Sequence, residues 1–419
     1  MTVVEAVDSF TLTPDQAEAL EAFTRFILDP VEQVFVLRGY SGCGKSTLVR
    51  VLLDRMPKIM KMARLINPSQ KEYEIELTAT TNKAAESLEF LTSMDVRTIH
   101  SFLSLRVQTD YRTQTTTLIP RSNQKKEGLL LFIDEASYID QQLLKYIFEL
   151  TVNCKIVFIG DPAQLTPVKS KGTPVFEAQF EGAALTQVVR QAEGNPIIDL
   201  STKFRHTVNT GEFFSFKPDG HYIQHLNRDA FRQAIVDEFA RPDWKYHDSK
   251  VLAWTNKCVI AYNQLIRGIV KGDPHFEVGD YAICNSFVTK NRTSLKTDQL
   301  VYINYIGQPY EYLGVGGRDY QVDGGPMFFQ PDSLAAKNEA IKKARSKGQW
   351  ADLSEMEQWI DLRAAYACTI NKSQGSTFNK VFVDLDDVSR CNSGDQIARM
   401  LYVGVSRARS QVFLTGDLA

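Results

Sequence analysis

Short, nearly unbroken apolar runs mark the early part of the chain at 34–37, 75–77, 129–133 and 155–159. Each has few polar breaks, which predicts parallel strands buried on both faces. Between them, apolar positions spaced for one helical face predict helices over 45–54, 82–91 and 141–150. This strand–helix alternation predicts a doubly wound α/β domain over about 1–180. One stretch breaks the rhythm. Residues 104–117 are rich in Thr, Tyr and Val with polar alternation, which predicts an inserted β-hairpin, within about 103–127 and turning near 109–113. A basic connection follows at 121–126.

A second alternation then begins. Strands are predicted at 183–189, 250–253, 364–369, 380–383 and 411–415, with helices after Asn195-Pro196, over 256–270 and over 395–405. Between 276 and 359 the pattern changes to short strands with glycine turns (Gly314, Gly316, Gly317, Gly324, Gly325), and a basic helical segment lies within 331–347. The expected organisation is a first domain over 1–180, a second over 181–275 and 361–419, and a β-barrel-like insert over 276–360. There is no internal repeat of short period and no low-complexity tract.

Composition narrows the class. The chain has 419 residues, 43% hydrophobic and 23% charged, as in soluble globular proteins. No apolar run approaches the ~20 residues of a membrane span. The first residues carry Glu5 and Asp8 and no basic stretch, so no signal peptide is expected and the cytoplasm is the expected location. The six cysteines are scattered without a CxxC pair, which predicts reduced thiols rather than a zinc site or disulfides. Net charge is −2. A nucleic-acid ligand would therefore be held by a local basic track and backbone amides, not by a field over the whole molecule.

The chemistry lies at strand ends. Gly39-Tyr40-Ser41-Gly42-Cys43-Gly44-Lys45-Ser46-Thr47 places G-x-x-x-x-G-K-S between an apolar strand and a helix, the context a phosphate loop requires. Its backbone amides and the helix end favour phosphate oxygens. Lys45 is expected to reach the β- and γ-phosphates of ATP, and the Ser46 hydroxyl to bind Mg²⁺. Asp134 and Glu135 end a strand; Asp134 suits Mg²⁺, and Glu135 suits orienting or deprotonating the attacking water. Gln164, after Gly160-Asp161-Pro162-Ala163, suits a γ-phosphate sensor. Arg190 and Arg407 are candidates for stabilising charge on the transferred phosphoryl group; from residues alone, each could equally be a solvated or carboxylate-paired arginine.

Taken in order, these motifs resemble those of superfamily 1 helicases of the 5′-to-3′, RecD-like branch, among them the small Dda helicases of bacteriophages. Leu12-Thr13-Pro14-Asp15-Gln16 resembles the adenine-reading Q motif, with Gln16 on the base. Residues 77–85 resemble motif Ia and Thr98-Ile99-His100-Ser101-Phe102 motif Ib. Asp134-Glu135 resembles motif II, 160–165 motif III, Arg190 the motif IV arginine, 369–377 motif V and 403–407 motif VI. Asn371 departs from the histidine that often precedes the motif V lysine.

The resemblance implies two RecA-like domains with ATP between them. Lys45, Asp134 and Gln164 would come from the first domain, Arg190 and Arg407 from the second, and Gly375 would also touch nucleotide. It implies single-stranded DNA held by Thr80, Asn82, Lys83, His100 and Phe102 on one side and by Thr255, Asn256, Asn371, Lys372 and Ser373 on the other. Such contacts go to phosphate and carry no base code. For Phe102 two readings stay open, base stacking or core packing. The hairpin takes the place of a strand-separating pin, with Tyr111 as its wedge or as an ordinary surface tyrosine. The insert resembles an SH3-like module with a helical extension. A duplex with a 5′ single-stranded tail is the implied substrate, no membrane is involved, and a monomer is the implied working form. Single-strand-binding, replication or recombination proteins are possible partners. A phosphate-loop kinase would lack motifs IV to VI. A translocase that remodels without separating strands, or that acts on RNA, stays open.

Overall fold

The apolar runs form the centre of a parallel sheet because alternate side chains of each must be covered on opposite faces. Phe35, Leu37, Leu130, Phe132, Val157 and Ile159 face one core with Phe23, Phe26, Leu48 and Leu52. Val34, Val36, Leu131, Ile133, Ile156 and Phe158 face the other with Leu143, Ile147 and Val175. Full burial of each such side chain contributes roughly 1.5–3 kcal/mol, which leaves no polar face to interrupt the runs. The structure, a computed structural model, describes residues 12–68, 72–110, 115–166, 172–187, 194–273, 275–291 and 293–418. The chain divides into two units, Met1–Phe214 and Ser215–Ala419.

In the first unit, strands Val34–Gly39, Glu74–Ala79, Val96–Thr98, Leu129–Asp134, Lys155–Gly160 and Gly182–Leu185 form one parallel sheet. Helix Lys45–Ile66 runs well past the expected end at 54 despite Pro57 inside it. Its buried stripe, Leu48, Leu52, Met56, Ile59 and Ala63, continues on both sides of the proline, so packing outweighs the lost hydrogen bond. Lys155 begins its strand fully inside the protein. Its ammonium donates to the carbonyls of Phe26 (2.8 Å), Asp29 (2.7 Å) and Glu32 (2.6 Å), which ties down the end of helix Pro14–Leu28. Burial pushes this amine down to about 8, against the pull of Asp29 and Glu32.

The hairpin consists of Leu105–Asp110 paired antiparallel with Thr115–Pro120, from Leu105 opposite Pro120 to Asp110 opposite Thr115. Its turn, with Tyr111, lies outside the described residues. The expected start of the second domain at 181 is corrected. Gly182–Leu185 pairs in parallel with Val34–Gly39 at the edge of the first sheet, and a Cβ on Gly182 would meet the Val36 carbonyl oxygen at 2.0 Å. Helix Pro196–Thr210 also belongs to this unit, which extends to Phe214.

The second unit has a parallel sheet of Ile223–Leu226, Ser249–Ala253, Ala367–Thr369, Phe378–Asp384 and Ala408–Thr415. Phe231, Phe239, Val251, Phe382 and Phe413 form its core, with the Phe382 and Phe413 rings stacked at 4.6 Å. An antiparallel β insert enters between helix Asn256–Lys271 and strand Ala367–Thr369. It is built on Tyr281–Cys284, Leu300–Ile306, Val315–Val322 and Met327–Pro331, with a core of its own at Ala282, Val301, Ile303, Phe328 and Ile360. Helices Leu334–Ser346 and Trp350–Met356 follow and pack at a smaller cluster containing Phe329, Met356 and Trp359.

The two sheets repeat one another. With strands numbered in chain order within each sheet, and the edge strand Gly182–Leu185 set aside, both run 1-5-4-2-3. The residues after corresponding strands match as well. The second strand of each sheet is followed by Thr-Asn-Lys, at Thr81-Asn82-Lys83 and Thr255-Asn256-Lys257. The third ends on Thr-Ile, at Thr98-Ile99 and Thr369-Ile370. In all four places the threonine hydroxyl accepts an amide hydrogen three residues on, from Ala84, Cys258, Ser101 and Lys372. Each is therefore an N-cap that fixes where the chain turns from strand to helix.

Candidate functional site

The phosphate loop folds as its glycines require. Gly42 (φ 84°) and Gly44 (φ 76°) occupy left-handed backbone, open to glycine without a Cβ penalty. Gly39 passes so close to the lysine that a Cβ would lie 2.9 Å from Lys45 Cγ. Lys45 Nζ donates to the carbonyls of Gly39 (2.7 Å) and Tyr40 (3.1 Å). Those oxygens occupy the ammonium in the place a phosphate oxygen would take. Ser46 is exposed, while Ser41, Gly42, Gly44 and Thr47 are half-buried. Cys43 is buried, and burial pushes its thiol up to about 11, which makes it a packing residue rather than a nucleophile.

Gln16 is also buried. Its side-chain amide donates to the Cys43 carbonyl (3.2 Å) and its oxygen accepts from Thr13 N–H (3.1 Å). It therefore braces the loop from behind, an arrangement not visible in the motif. A cation the motifs missed also reaches the loop. The Arg205 guanidinium lies 3.6 Å from the centroid of the Tyr40 ring. Its only sequence signal is a basic residue on helix Pro196–Thr210.

Asp134 ends a central strand beside Lys45, and burial raises its carboxyl above the usual range, against the Glu135 amide and Lys45. Glu135 N–H donates to Asp134 Oδ1 (2.8 Å). Glu135 itself has φ 55°, a left-handed conformation that costs a non-glycine residue on the order of 1 kcal/mol. Thr80 fastens the neighbouring strand end to this turn: its N–H donates to the Asp134 carbonyl (3.1 Å) and its hydroxyl to the Glu135 carbonyl (3.0 Å). Gln164 is buried in a turn in which its N–H donates to the Asp161 carbonyl (3.2 Å). The first unit thus brings Lys45, Asp134, Glu135, Thr80 and Gln164 to one end of the sheet, where ligands of such folds bind.

Among the described residues, no group of three or more His, Cys, Asp or Glu could hold a metal. Mg²⁺ bound with a nucleotide needs only one or two protein oxygens besides phosphate. The half-buried Asp134 carboxylate and the exposed Ser46 hydroxyl are hard oxygen donors of that kind.

The predicted single-strand contacts divide. Asn82 and Lys83 are half-buried in the first turn of helix Asn82–Thr92. His100 is half-buried, and burial lowers its imidazole, against Asp140, which favours the neutral ring. Of the two readings for Phe102, its burial favours core packing: it is 3% exposed, with Arg97 and Lys126 at 5.0 and 5.1 Å from its ring centroid. Arg190 lies outside the described residues, between two elements of the first unit.

In the second unit, Thr255 N–H and hydroxyl both donate to Asp387 (2.7 Å each). Exposed Asn256 accepts from Arg363 (2.8 Å). Asn371 and Lys372 are half-buried in the short helix Ile370–Ser373, and Lys372 Nζ donates to Asn285 and Asp298 of the insert. Ser373 is corrected as a strand contact, being fully buried with its hydroxyl on the Ile370 carbonyl (2.7 Å). Gly375 is exposed at φ 73°. Arg407 is 3% exposed. Its guanidinium donates to the carbonyls of Val403 and Ser376 (3.2 Å each) and to Ser406 Oγ (3.0 Å). In this state it joins motifs V and VI rather than projecting.

Only the first unit carries the glycine loop. In the second, Asn227 caps helix Arg228–Phe239 directly after the first strand. Arg228 grips Asp384, at the end of the fourth strand, through two bonds of 2.9 and 3.1 Å. Lys45 and Asp134 hold the corresponding positions in the first unit.

Fold and site together define a phosphate-loop nucleoside triphosphatase of two RecA-like units. A family model described as an AAA domain matches residues 11–227, and one described as a UvrD-like helicase C-terminal domain matches 364–415. The RecBCD enzyme subunit RecD of Buchnera aphidicola is 27% identical over 94% of this chain and 72% of its own. The ATP-dependent DNA helicase Pif1 of Bdellovibrio bacteriovorus is 24% identical over 96% and 87%. The Bacteroides Pif1 helicase, solved with ADP-AlF3 and single-stranded DNA, shares the fold at a TM-score of 0.53, with 16% identity over 98% of this chain and 93% of that one. The chain belongs to the Pif1/RecD-like family of superfamily 1 helicases.

Proposed function

We propose that the protein is an ATP-dependent DNA helicase that moves 5′ to 3′ along single-stranded DNA and separates duplex strands. The observation that carries this reading is the duplicated pair of Thr-capped strand ends, Thr81 and Thr98 in one unit and Thr255 and Thr369 in the other. Only one of the two units also has a phosphate loop. Polar side chains and helix starts repeated in this way suit a phosphate backbone, which is itself periodic and is read without regard to base.

ATP binds at the loop, where Lys45 exchanges the Gly39 and Tyr40 carbonyls for phosphate oxygens. Asp134 and Ser46 would hold Mg²⁺, which would supply charge neutralisation at the phosphates. Glu135 is placed to orient water, and Gln164 to sense the γ-phosphate. Arg407 takes part in phosphoryl transfer only after releasing its present partners. The finer likeness to the small Dda helicases and the use of a single chain belong to the same proposal and rest on the wording of the motifs; a cytoplasmic setting is proposed alongside them.

A tailed-duplex assay tests the reading. With ATP and Mg²⁺, a duplex with a 5′ single-stranded DNA tail is expected to be unwound, and one with only a 3′ tail is not. Unwinding of the 3′-tailed duplex alone would refute the polarity. ATP hydrolysis stimulated by either tail, with no unwinding of any, would show a translocase that does not separate strands. RNA tails in the same assay decide the sugar preference.

A further inference from the structure

Lys372 and Asn256, both read above as single-strand contacts, are held by the same part of the β insert. Lys372 Nζ donates to Asp298 Oδ1 (2.7 Å) and to Asn285 Oδ1 (2.6 Å). The Asn285 amide donates to Asp361 (2.7 Å). Asp361 accepts two bonds from Arg363 (3.1 and 2.9 Å), and Arg363 reaches on to Asn256 (2.8 Å). The result is a continuous polar chain from motif V, through the insert, to the start of helix Asn256–Lys271.

Its two ends differ in burial. The Asp361 and Arg363 side chains are 11% and 13% exposed, a fixed link. Lys372 and Asp298 are 28% and 32% exposed, so solvent, and anything dissolved in it, reaches that pair. Asp298 sits at φ 66° in the turn between strands Thr293–Leu295 and Leu300–Ile306. Its amide donates to the Cys284 carbonyl (2.7 Å). The turn thereby presents the carboxylate to Lys372 from a backbone that is itself tethered.

We propose that Asp298 is an intramolecular stand-in for a DNA phosphate. It occupies Lys372 while no strand is bound and is displaced by the phosphodiester when one arrives. The proposal rests on the reading of Lys372 as a strand contact. It makes the insert a competitor for that contact as well as a support for it. The acidic turn weakens binding to any polyanion and selects for one that engages several contacts at once. The largely buried Asn285–Asp361–Arg363 link passes the exchange at Lys372 to Asn256.

The test is oligothymidine binding followed by fluorescence anisotropy across a range of salt. Asp298→Asn should bind several-fold more tightly at low salt. Its plot of log affinity against log salt should keep the native slope, because Lys372 meets a phosphate in both complexes and only the cost of displacing Asp298 is removed. In a Lys372→Ala background, Asp298→Asn should change neither quantity. Asp298→Glu, which restores the charge, should return the affinity toward the native value. Native or weaker affinity for Asp298→Asn, when Lys372→Ala alone does weaken binding, overturns the competitor role and leaves the strand contact standing. Native affinity for Lys372→Ala overturns the strand contact, and the proposal with it. A thermal melt of each variant identifies loss of binding through unfolding.

Discussion

At the scale of single residues, the described site is poised but self-satisfied. Lys45 is bonded to loop carbonyls, Gln16 to the loop from behind, and Arg407 to its own helix and to motif V. The carbonyls on Lys45 are ones a phosphate oxygen can replace, whereas the buried Arg407 would have to leave its partners to reach a phosphate. Lys45→Ala removes a cation but leaves two carbonyls on a partly open loop, where water can replace it. The expected result is a fall in ATP turnover of at least about 10²-fold, the scale of losing one preorganised charge donor. The melting temperature should stay near the native value. A coupled ATPase assay beside a circular-dichroism melt checks this, and a folded variant with native turnover would remove Lys45 from the mechanism. Phe102 and Ser373 teach the converse. Their motifs suggest contact, but their burial at 3% and 0% makes them parts of the scaffold that aims their neighbours.

At the scale of elements, the repeated Thr caps do the positioning. A capping hydroxyl fixes the first turn of each helix, at a typical worth of about 1 kcal/mol, and so sets where Asn82, Lys83, His100, Asn256, Asn371 and Lys372 leave the backbone. The hairpin Leu105–Asp110 with Thr115–Pro120 is a different kind of element. Two strands alone are marginal, and its base is anchored by Leu105 in the core and by Gln142, which bonds the Leu118 N–H and carbonyl (3.2 Å each). Such an anchored projection suits strand separation better than catalysis. Tyr111→Ala is therefore expected to reduce duplex unwinding several-fold more than it reduces DNA-stimulated ATP hydrolysis. Parallel loss of both activities would remove Tyr111 as the wedge.

At the scale of the whole molecule, two copies of one sheet topology have diverged in charge. The first keeps an open glycine loop beside Lys45 and Asp134. The second joins the equivalent positions through Arg228 and Asp384, where Tyr262 also donates to the aspartate (2.7 Å). Those charges are already compensated, and the cap at Asn227 leaves no loop of amides to wrap a phosphate. Titration with a fluorescent ATP analogue is expected to saturate at one nucleotide per chain, with that binding weakened by Lys45→Ala. Saturation at two per chain would show that the Arg228–Asp384 pair opens to admit a second.

What the sequence determined by itself is whatever a local pattern encodes. Unbroken apolar runs specify strands buried on both faces, a glycine-rich stretch ahead of Lys45 specifies a phosphate loop, and Asn195-Pro196 specifies a helix start. These follow from backbone sterics and burial within a few residues. Tertiary structure decided what depends on partners far along the chain. Gly182–Leu185 joins the first sheet because its register partner is Val34–Gly39, although its position in the sequence suggested the next domain. The two sheets match in strand order through contacts that no window of sequence spans. Phe102 and Ser373 are buried by neighbours that their own motifs do not contain. The exchange of Lys372 between Asp298 and a phosphate exists only because the fold carries a turn of the β insert back to motif V. Ion pairs depend on distance in space, and sequence spacing does not specify that distance.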